Sequence, residues 1–433
     1  MRYDEQTEAV DLLPGAKSRV LPDGRALQNR PSVPLAGKRV AIVHDWLESY
    51  AGSESVLEQL LVCFPDADLF AVVDFLKPED RGFLGGRPVR TTFIQRLPAA
   101  RRRFRHYLGL MPIAIEQLDL SGYDLVISSS HAVAKGVVTG PDQIHISYVH
   151  SPMRYIWDMQ NQYLEQAGFS SGIKSLYIRW LFSRMRLWDV SSAQHVDYFV
   201  ANSRYIARRI RKAYGREATV VHPPVDVEGF TIGPCKEDFY LLAGRFVPYK
   251  RADLIVESFR HQPERRLVVV GDGPEAARVR AAAGKASNIV FRGVVSKAEL
   301  IGLMQRASAM MVAAEEDFGI TMVEAQACGT PVIALGRGGV MDIINPTAPC
   351  PTGVLFAHQD VNSVVEALQR FDMTRDWITS KACRSNALRF SRSRFQAEIR
   401  SFVDEALAQT NSQSRMYHHE CSVQAEQRPV IYS

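Results

Sequence analysis

At 433 residues the chain is too long for one ordinary core, and 46% hydrophobic with 23% charged residues is the balance of a folded globular protein, so two domains are expected. A net charge of +5 is far from a histone-like excess; it suits phosphorylated ligands or an anionic lipid surface and demands neither. Six cysteines without a C-x-x-C pair point to reduced thiols rather than a zinc site or a disulfide framework.

No apolar run approaches the roughly 18–20 residues of a membrane-spanning helix, and the opening MRYDEQTEAV lacks the apolar segment of a signal peptide. A soluble or peripheral protein, cytoplasmic or on the inner face of the plasma membrane, is expected. Residues 1–37, interrupted by Pro14, Pro22, Pro31 and Pro34, read as a flexible leader.

Lys38 opens KRVAIVHDWL, a buried strand by its β-branched content. A turn at Tyr50–Ser53 and an amphipathic helix over Glu54–Phe64 follow, the opening unit of a nucleotide-type α/β domain. Further strands are predicted at Leu69–Val73, Tyr123–Ser128, His145–Val149, Val196–Ala201 and Thr219–His222. Two basic, aromatic-rich spans interrupt them, Arg87–Leu110 and Ile173–Trp188. Each reads either as a helix with a solvated basic rim or as an attachment to an anionic membrane face. No RNA-binding signature accompanies the charge, so no nucleic-acid partner is expected.

The proline- and glycine-rich stretch HPPVDVEGFTIGPCKED is the best linker. After it strands and helices alternate again, through Phe239–Ala243, Arg266–Val270, Ile289–Gly293, Met310–Ala313 and Val332–Leu335. That rhythm predicts parallel doubly wound sheets. The division expected is a Rossmann-like domain over 38–225, a second over 226–393, a terminal helix over 394–408 and an unstructured tail over 409–433.

The chemistry concentrates after the linker. GRFVPYK places Arg245 and Lys250 across one proline turn, where a guanidinium fork and an ammonium can share an anionic ligand such as a diphosphate. Two solvated loop cations are the plainer alternative. AEEDFGITMVEAQACGTPVIALGRGG reads as a carboxylate-rich turn, a short helix, a strand and a phosphate-sized glycine loop. Glu316 and Glu324 flank its start. Thr321 with Glu324 also spells a capping box, which leaves Glu316 and Phe318-Gly319 unexplained. Carboxylates there can accept sugar hydroxyls, while helix N-terminal amides meet phosphate. Asp66-Ala67-Asp68 has the spelling of a metal-diphosphate motif, but its Phe-Pro context reads as a turn.

Together HDWLESYAGSE, YVHSPMRY, GRFVPYK, VVVGDGPE and the Glu316–Glu324 stretch resemble the family 4 group of retaining glycosyltransferases over about residues 38–408. VPYKR and SSSHAVAKGV look most like bacterial polysaccharide mannosyltransferases. The resemblance implies a GT-B fold, two Rossmann-like α/β domains facing a cleft, the first taking the acceptor and the second the nucleotide. It implies that Arg245 and Lys250 bind the donor diphosphate, Glu324 the ribose and Glu316 the donor sugar. Backbone at Phe318, Gly319 and Ile320 would contact sugar and phosphate, and backbone around Val294 the base. Gly52 would let the first domain approach the diphosphate, and His150 would lie near the sugar, with His131 a second candidate read more simply as a histidine at a strand end. Ala51 before Gly52 suggests a tight turn, and Thr321-Met322 a conventional helix cap. The donor implied is GDP-mannose or another nucleotide-sugar, the acceptor a lipid-linked oligosaccharide, and no metal or other cofactor is expected.

A nicotinamide dehydrogenase would need G-x-G-x-x-G after a strand, which GDGPE and GRGGV both fail. A glycoside hydrolase would explain paired glutamates but not Arg245 and Lys250. An epimerase of nucleotide-sugars shares the two-domain form.

Overall fold

A computed structural model describes residues 37–426 apart from 167, 170 and 348; beyond Thr410 only the backbone is described. The expected leader lies outside these residues except for Gly37. Seven parallel strands build the first sheet: β1 (Val40–Leu47), β2 (Asp68–Asp74), β3 (Val89–Thr91), β4 (Leu125–Ser130), β5 (Ile144–Val149), β6 (Tyr198–Ala201) and β7 (Thr219–Val220). Their order is β3-β2-β1-β4-β5-β6-β7. Six more build the second: β8 (Tyr240–Ala243), β9 (Leu267–Val270), β10 (Ile289–Gly293), β11 (Ala309–Val312), β12 (Val332–Leu335) and β13 (Gly353–Phe356), ordered β10-β9-β8-β11-β12-β13.

Both sheets are covered on both faces, which is why their strands read as unbroken apolar runs rather than alternations. The first core includes Ile42, Leu57, Leu69, Ile127 and Ile146, and the second Ile255, Leu267, Met311 and Ile333. Sheet order reverses direction between β1 and β4, and again between β8 and β11. The crevices outside the carboxyl ends of those strand pairs are where ligands of open α/β sheets bind.

The chain crosses between domains twice. Val221 belongs to the first core and Val225 to the second; on the return, Phe390 belongs to the second and Phe395 to the first. The crossings lie side by side, Val225 donating its N–H to the Phe390 carbonyl at 2.8 Å. The last helix, Arg392–Glu426, lies on the first domain, where Phe395, Ile399, Val403 and Leu407 are buried beside Leu60 and Ile146. Each such side chain stabilises the contact by about 1.5–3 kcal/mol.

Two expectations are corrected. The backbone stays helical to Glu426, so the segment 409–426 is not the unstructured tail its aperiodic sequence suggested. The span Arg87–Leu110 is not one helix: Pro98 and the left-handed Ala99 (φ 52°) divide it into β3, a 3-10 turn at Phe93–Arg96, the short helix Ala100–Arg103 and a second 3-10 segment. Proline removes a backbone donor and a positive φ cannot continue a helix. The other basic span does form one helix, Ile173–Ala193. β3, β13 and the helix Ser380–Ala387 were missed; the two strands are three and four residues long, too short to show a period.

Candidate active site

The loops leaving β8 and β11 border a half-open cavity of about 470 Å³, part of it open to solvent, lined by Arg245, Lys250, Glu316, Gly319, Thr321 and the apolar ends of the strands. Lys250 Nζ stands 3.1 Å from Glu316 Oε1, so residues 66 positions apart share one site. Arg245 is exposed, and its side chain has no hydrogen-bond or ion-pair partner among the described residues. Directly after Lys250, Arg251 has a left-handed backbone (φ 48°), a conformation that costs a non-glycine residue about 1–3 kcal/mol.

The helix facing the cavity, Ile320–Ala327, is capped by Gly319 at φ 106°. That conformation is what requires glycine; the nearest atom to a Cβ there is the movable tip of Met322, its Cε. Thr321 therefore sits inside the first turn and caps nothing, and the expected capping box with Glu324 does not form. The amides of Gly319, Ile320 and Thr321 have no acceptor among the described residues, leaving the positive end of the helix free for an anion.

The glycine loop after β12 is corrected in a different way. A Cβ on Gly338 would lie 2.4 Å from the Glu316 carbonyl, and one on Gly339 2.4 Å from Phe318 Cα. Gly339 also donates its N–H to the Glu316 carbonyl at 2.8 Å. These glycines support the Glu316–Phe318 backbone from beneath, rather than forming a phosphate cradle of their own.

On the first domain, Asp45 at the end of β1 accepts the backbone N–H groups of His131, Ala132, Val133 and Ala134 at 2.5–2.8 Å. This fixes the turn after β4. His44, His131 and His150 cluster there with ring centroids 6.2–6.5 Å apart. Ser129 Oγ sits between His44 Nδ1 (3.0 Å) and His150 Nε2 (2.8 Å). Burial, reinforced by the other two histidines, holds His150 well below the usual imidazole range, so it is neutral at physiological pH. His131 lies at the strand end with Nδ1 3.2 Å from Asp45 Oδ2, the simpler placement expected for it. Burial also depresses its pKa, against the pull of Asp45.

Residues 51–228 match the profile of Glycosyltransferase Family 4, and residues 233–389 that of Glycosyl transferases group 1. The chain belongs to the family 4 glycosyltransferases. It is 31% identical over 196 residues to a D-inositol 3-phosphate glycosyltransferase of Mycolicibacterium paratuberculosis, covering 40% of this chain and 44% of the relative. It is 28% identical over 239 residues to a GDP-mannose-dependent monoacylated alpha-(1-6)-phosphatidylinositol monomannoside mannosyltransferase of Corynebacterium glutamicum, covering 47% and 61% respectively. The chain thus spans about half the length of the curated relatives it matches. The structure is similar to sucrose-phosphate synthase from Thermosynechococcus elongatus, with a TM-score of 0.64 at 18% identity over 86% of this chain and 100% of that one. The fold is GT-B, as the strand rhythm and the resemblance imply.

The remaining expected site residues lie outside the cavity lining. Glu324 lies one helical turn deeper than the cavity mouth; its carboxylate accepts no hydrogen bond among the described residues. Burial raises its pKa from the ordinary 4.5, opposed by Lys297 and assisted by Asp226. Val294, 77% exposed, follows β10, and Lys297, whose charge acts on Glu324, begins the next helix, so the Val294 loop lies on the Glu324 side, though neither residue lines the cavity itself. Gly52 opens the helix Gly52–Cys63 and faces the second domain: a Cβ on it would be 3.0 Å from Ile320 Cδ1. The Phe318 side chain instead turns inward, stacked on His222 at 5.5 Å and against Phe390 at 5.4 Å. The tight turn expected at Ala51 takes the form of a cap, with the Ala51 N–H donating to Glu54 Oε2 at 3.0 Å.

Sequence reasoning missed Asp317, Arg154 and Arg209. Asp317 lies between the two guanidiniums, with Arg209 Nη1 3.2 Å from Oδ1 and Arg154 paired to Oδ2. Asp317 is one of three successive acids in the run Glu315-Glu316-Asp317, and Arg154 one of many basic residues of the first domain, so nothing local marks either. Asp66 lies in a turn and Asp68 starts β2, at the amino end of the strand, away from the cleft.

Proposed function

We propose that this chain transfers a hexose, most simply mannose from GDP-mannose, to a lipid-linked oligosaccharide with retention at the anomeric carbon, in surface-polysaccharide assembly. One observation carries this reading: Arg245, Lys250, Glu316 and the free amides before Thr321 converge on one cavity at the β8–β11 switch point. In transfer, the bond between the anomeric carbon and the diphosphate oxygen breaks, and its electron pair leaves with the diphosphate. Arg245, Lys250 and the helix amides are aimed where that charge develops, so they stabilise the transition state more than the ground state. Glu316 faces the sugar, Glu324 holds the ribose and the Val294 loop takes the base. The acceptor hydroxyl bonds to the anomeric carbon from the face the diphosphate leaves, its proton passing to the departing diphosphate oxygen, under the His131–His150 edge of the first domain. Two cations and a helix terminus suffice for the leaving group, and no metal is assigned a role.

The Corynebacterium relative, a GDP-mannose-dependent mannosyltransferase named for a phosphatidylinositol monomannoside, supports this choice over a UDP-sugar. No helix among the described residues is long and apolar enough to cross a membrane. A peripheral arrangement is supported by Ile173, Leu176, Tyr177 and Trp180, which stand 56–87% exposed at i, i+3, i+4 and i+7 of one helix. Lys174 and Arg184 of the same helix form no ion pair among the described residues. The test is a panel of GDP- and UDP-sugars read as ligand-induced thermal stabilisation, followed by transfer of label into a lipid extract. GDP-mannose should raise the melting temperature and label the lipid. Stabilisation by no nucleotide-sugar overturns the donor assignment, and release of an epimerised sugar without acceptor favours an epimerase.

A further inference from the structure

We infer that Arg154, a first-domain residue, is the positioning residue that sets the spacing of the two donor loops and couples it to domain closure. Arg154 lies just beyond β5, and its guanidinium reaches across the cleft to touch both arms of the site. It pairs with Asp317, next to Glu316, and stands 5.4 Å over the ring of Tyr249, next to Lys250. The Lys250–Glu316 pair at 3.1 Å therefore sits between two residues held by one side chain of the other domain.

The contact is built for this task. The Arg154 side chain is only 14% exposed and that of Asp317 18%, so neither is a solvated surface pair of negligible strength. Arg209 grips the second oxygen of Asp317 and also bonds Ser151 Oγ at 3.0 Å, the residue directly after His150. Ser203 Oγ donates to the Asp317 carbonyl at 2.6 Å. The loop bearing Glu316 and the amides of Gly319 and Ile320 is thus fixed by side chain and main chain alike to the domain that carries the histidine cluster. A shift of that domain moves Glu316 relative to Lys250 through Asp317 and Tyr249. A separate stitch, Arg204 with Asp342, joins the same faces without touching either donor loop, which makes Arg154 distinguishable from general interdomain packing.

The inference rests on reading Lys250 and Glu316 as donor-binding groups, and the experiment separates the two. Arg154→Gln, Arg154→Lys, Asp317→Asn, Arg204→Gln and Lys250→Ala are compared in the full chain. GDP is the binding probe, and slow release of mannose from GDP-mannose to water is the turnover that needs no lipid acceptor. Small-angle scattering reports closure without any ligand. Arg154→Gln and Asp317→Asn should release mannose about 10–100-fold more slowly, bind GDP within a few-fold of the parent and show a larger radius of gyration. Arg154→Lys, which keeps the charge on Asp317, should recover part of the rate; Arg204→Gln should loosen the interface without the same loss of turnover. The inference is overturned if Arg154→Gln leaves rate and radius of gyration unchanged, or if Arg204→Gln reproduces its whole effect. If GDP binds the parent and Lys250→Ala equally, the donor reading fails instead, and the scattering comparison still decides whether Arg154 governs closure.

Discussion

Lys250 Nζ and Glu316 Oε1 meet at 3.1 Å in a partly exposed cavity, so the ammonium proposed for the diphosphate already has an anionic partner. A nucleotide must compete with Glu316 or share Lys250 with it. Lys250→Ala and Glu316→Gln should therefore act in opposite directions on GDP binding. Lys250→Ala removes a charge-assisted contact worth roughly 1.5–3 kcal/mol and should weaken GDP by about 10–100-fold. Glu316→Gln frees the ammonium, so GDP should bind as well or better while sugar transfer falls. Titration calorimetry against steady-state rates checks both; weaker GDP binding by Glu316→Gln removes the competition.

Burial holds the carboxyl of Glu324 above its ordinary 4.5. The folded protein then binds that proton more tightly than the unfolded chain, so this group's contribution to stability falls as pH rises above 4.5 and is unfavourable at neutral pH. Glu324→Gln should melt at the same or a higher temperature than the parent at pH 7, yet bind GDP at least about tenfold more weakly through lost ribose contacts. A marked fall in melting temperature with GDP binding intact would reassign Glu324 to the fold.

His145 is fully buried in β5, its Nε2 2.9 Å from Ser128 Oγ. Burial pushes its pKa from 6.5 to about 3. The unfolded chain takes up this proton near pH 6.5 and the folded one does not, so the stabilisation is complete above that pH and is lost as pH falls toward 3. The loss approaches about 1.4 kcal/mol per pH unit. Chemical denaturation between pH 7 and 4.5 should show that slope, reduced in His145→Gln. A His145→Gln slope equal to the parent's contradicts it.

If the exposed face of the helix Ile173–Ala193 meets an anionic bilayer, Leu176→Ser with Trp180→Ser should abolish flotation with phosphatidylglycerol vesicles. Arg184→Glu should weaken it, since each basic residue near such a surface adds about 1 kcal/mol. GDP binding and melting temperature should not change, because these side chains pack against nothing in the core. Equal recovery with neutral vesicles argues against the anionic surface.

Treatment with EDTA should leave mannose release within about twofold of the untreated rate, since Arg245, Lys250 and helix amides meet the developing charge. A loss restored by Mg²⁺ or Mn²⁺ would require a metal in the leaving-group site.

Local chemistry made much of this protein legible in its sequence. Buried parallel strands must be continuously apolar, so β1, β4, β5 and β8–β12 announced themselves, and with them two α/β domains. The basic pair Arg245 and Lys250 reads alone as two solvated loop cations; it stood out only beside Glu316 and Phe318-Gly319, which a capping box leaves unexplained. What tertiary structure alone decided are relations between distant segments. Gly319, not Thr321, caps the helix, because the backbone must turn left-handed where Gly338 and Gly339 press from below. Asp317 differs from its acidic neighbours only in meeting Arg154 and Arg209 from another domain, more than a hundred residues away. The final helix shows its apolar stripe in sequence, but only packing assigns that stripe to Leu60 and Ile146. Periodicity records which face a segment must bury; the surface that covers it is fixed by shape and charge brought together from elsewhere in the chain.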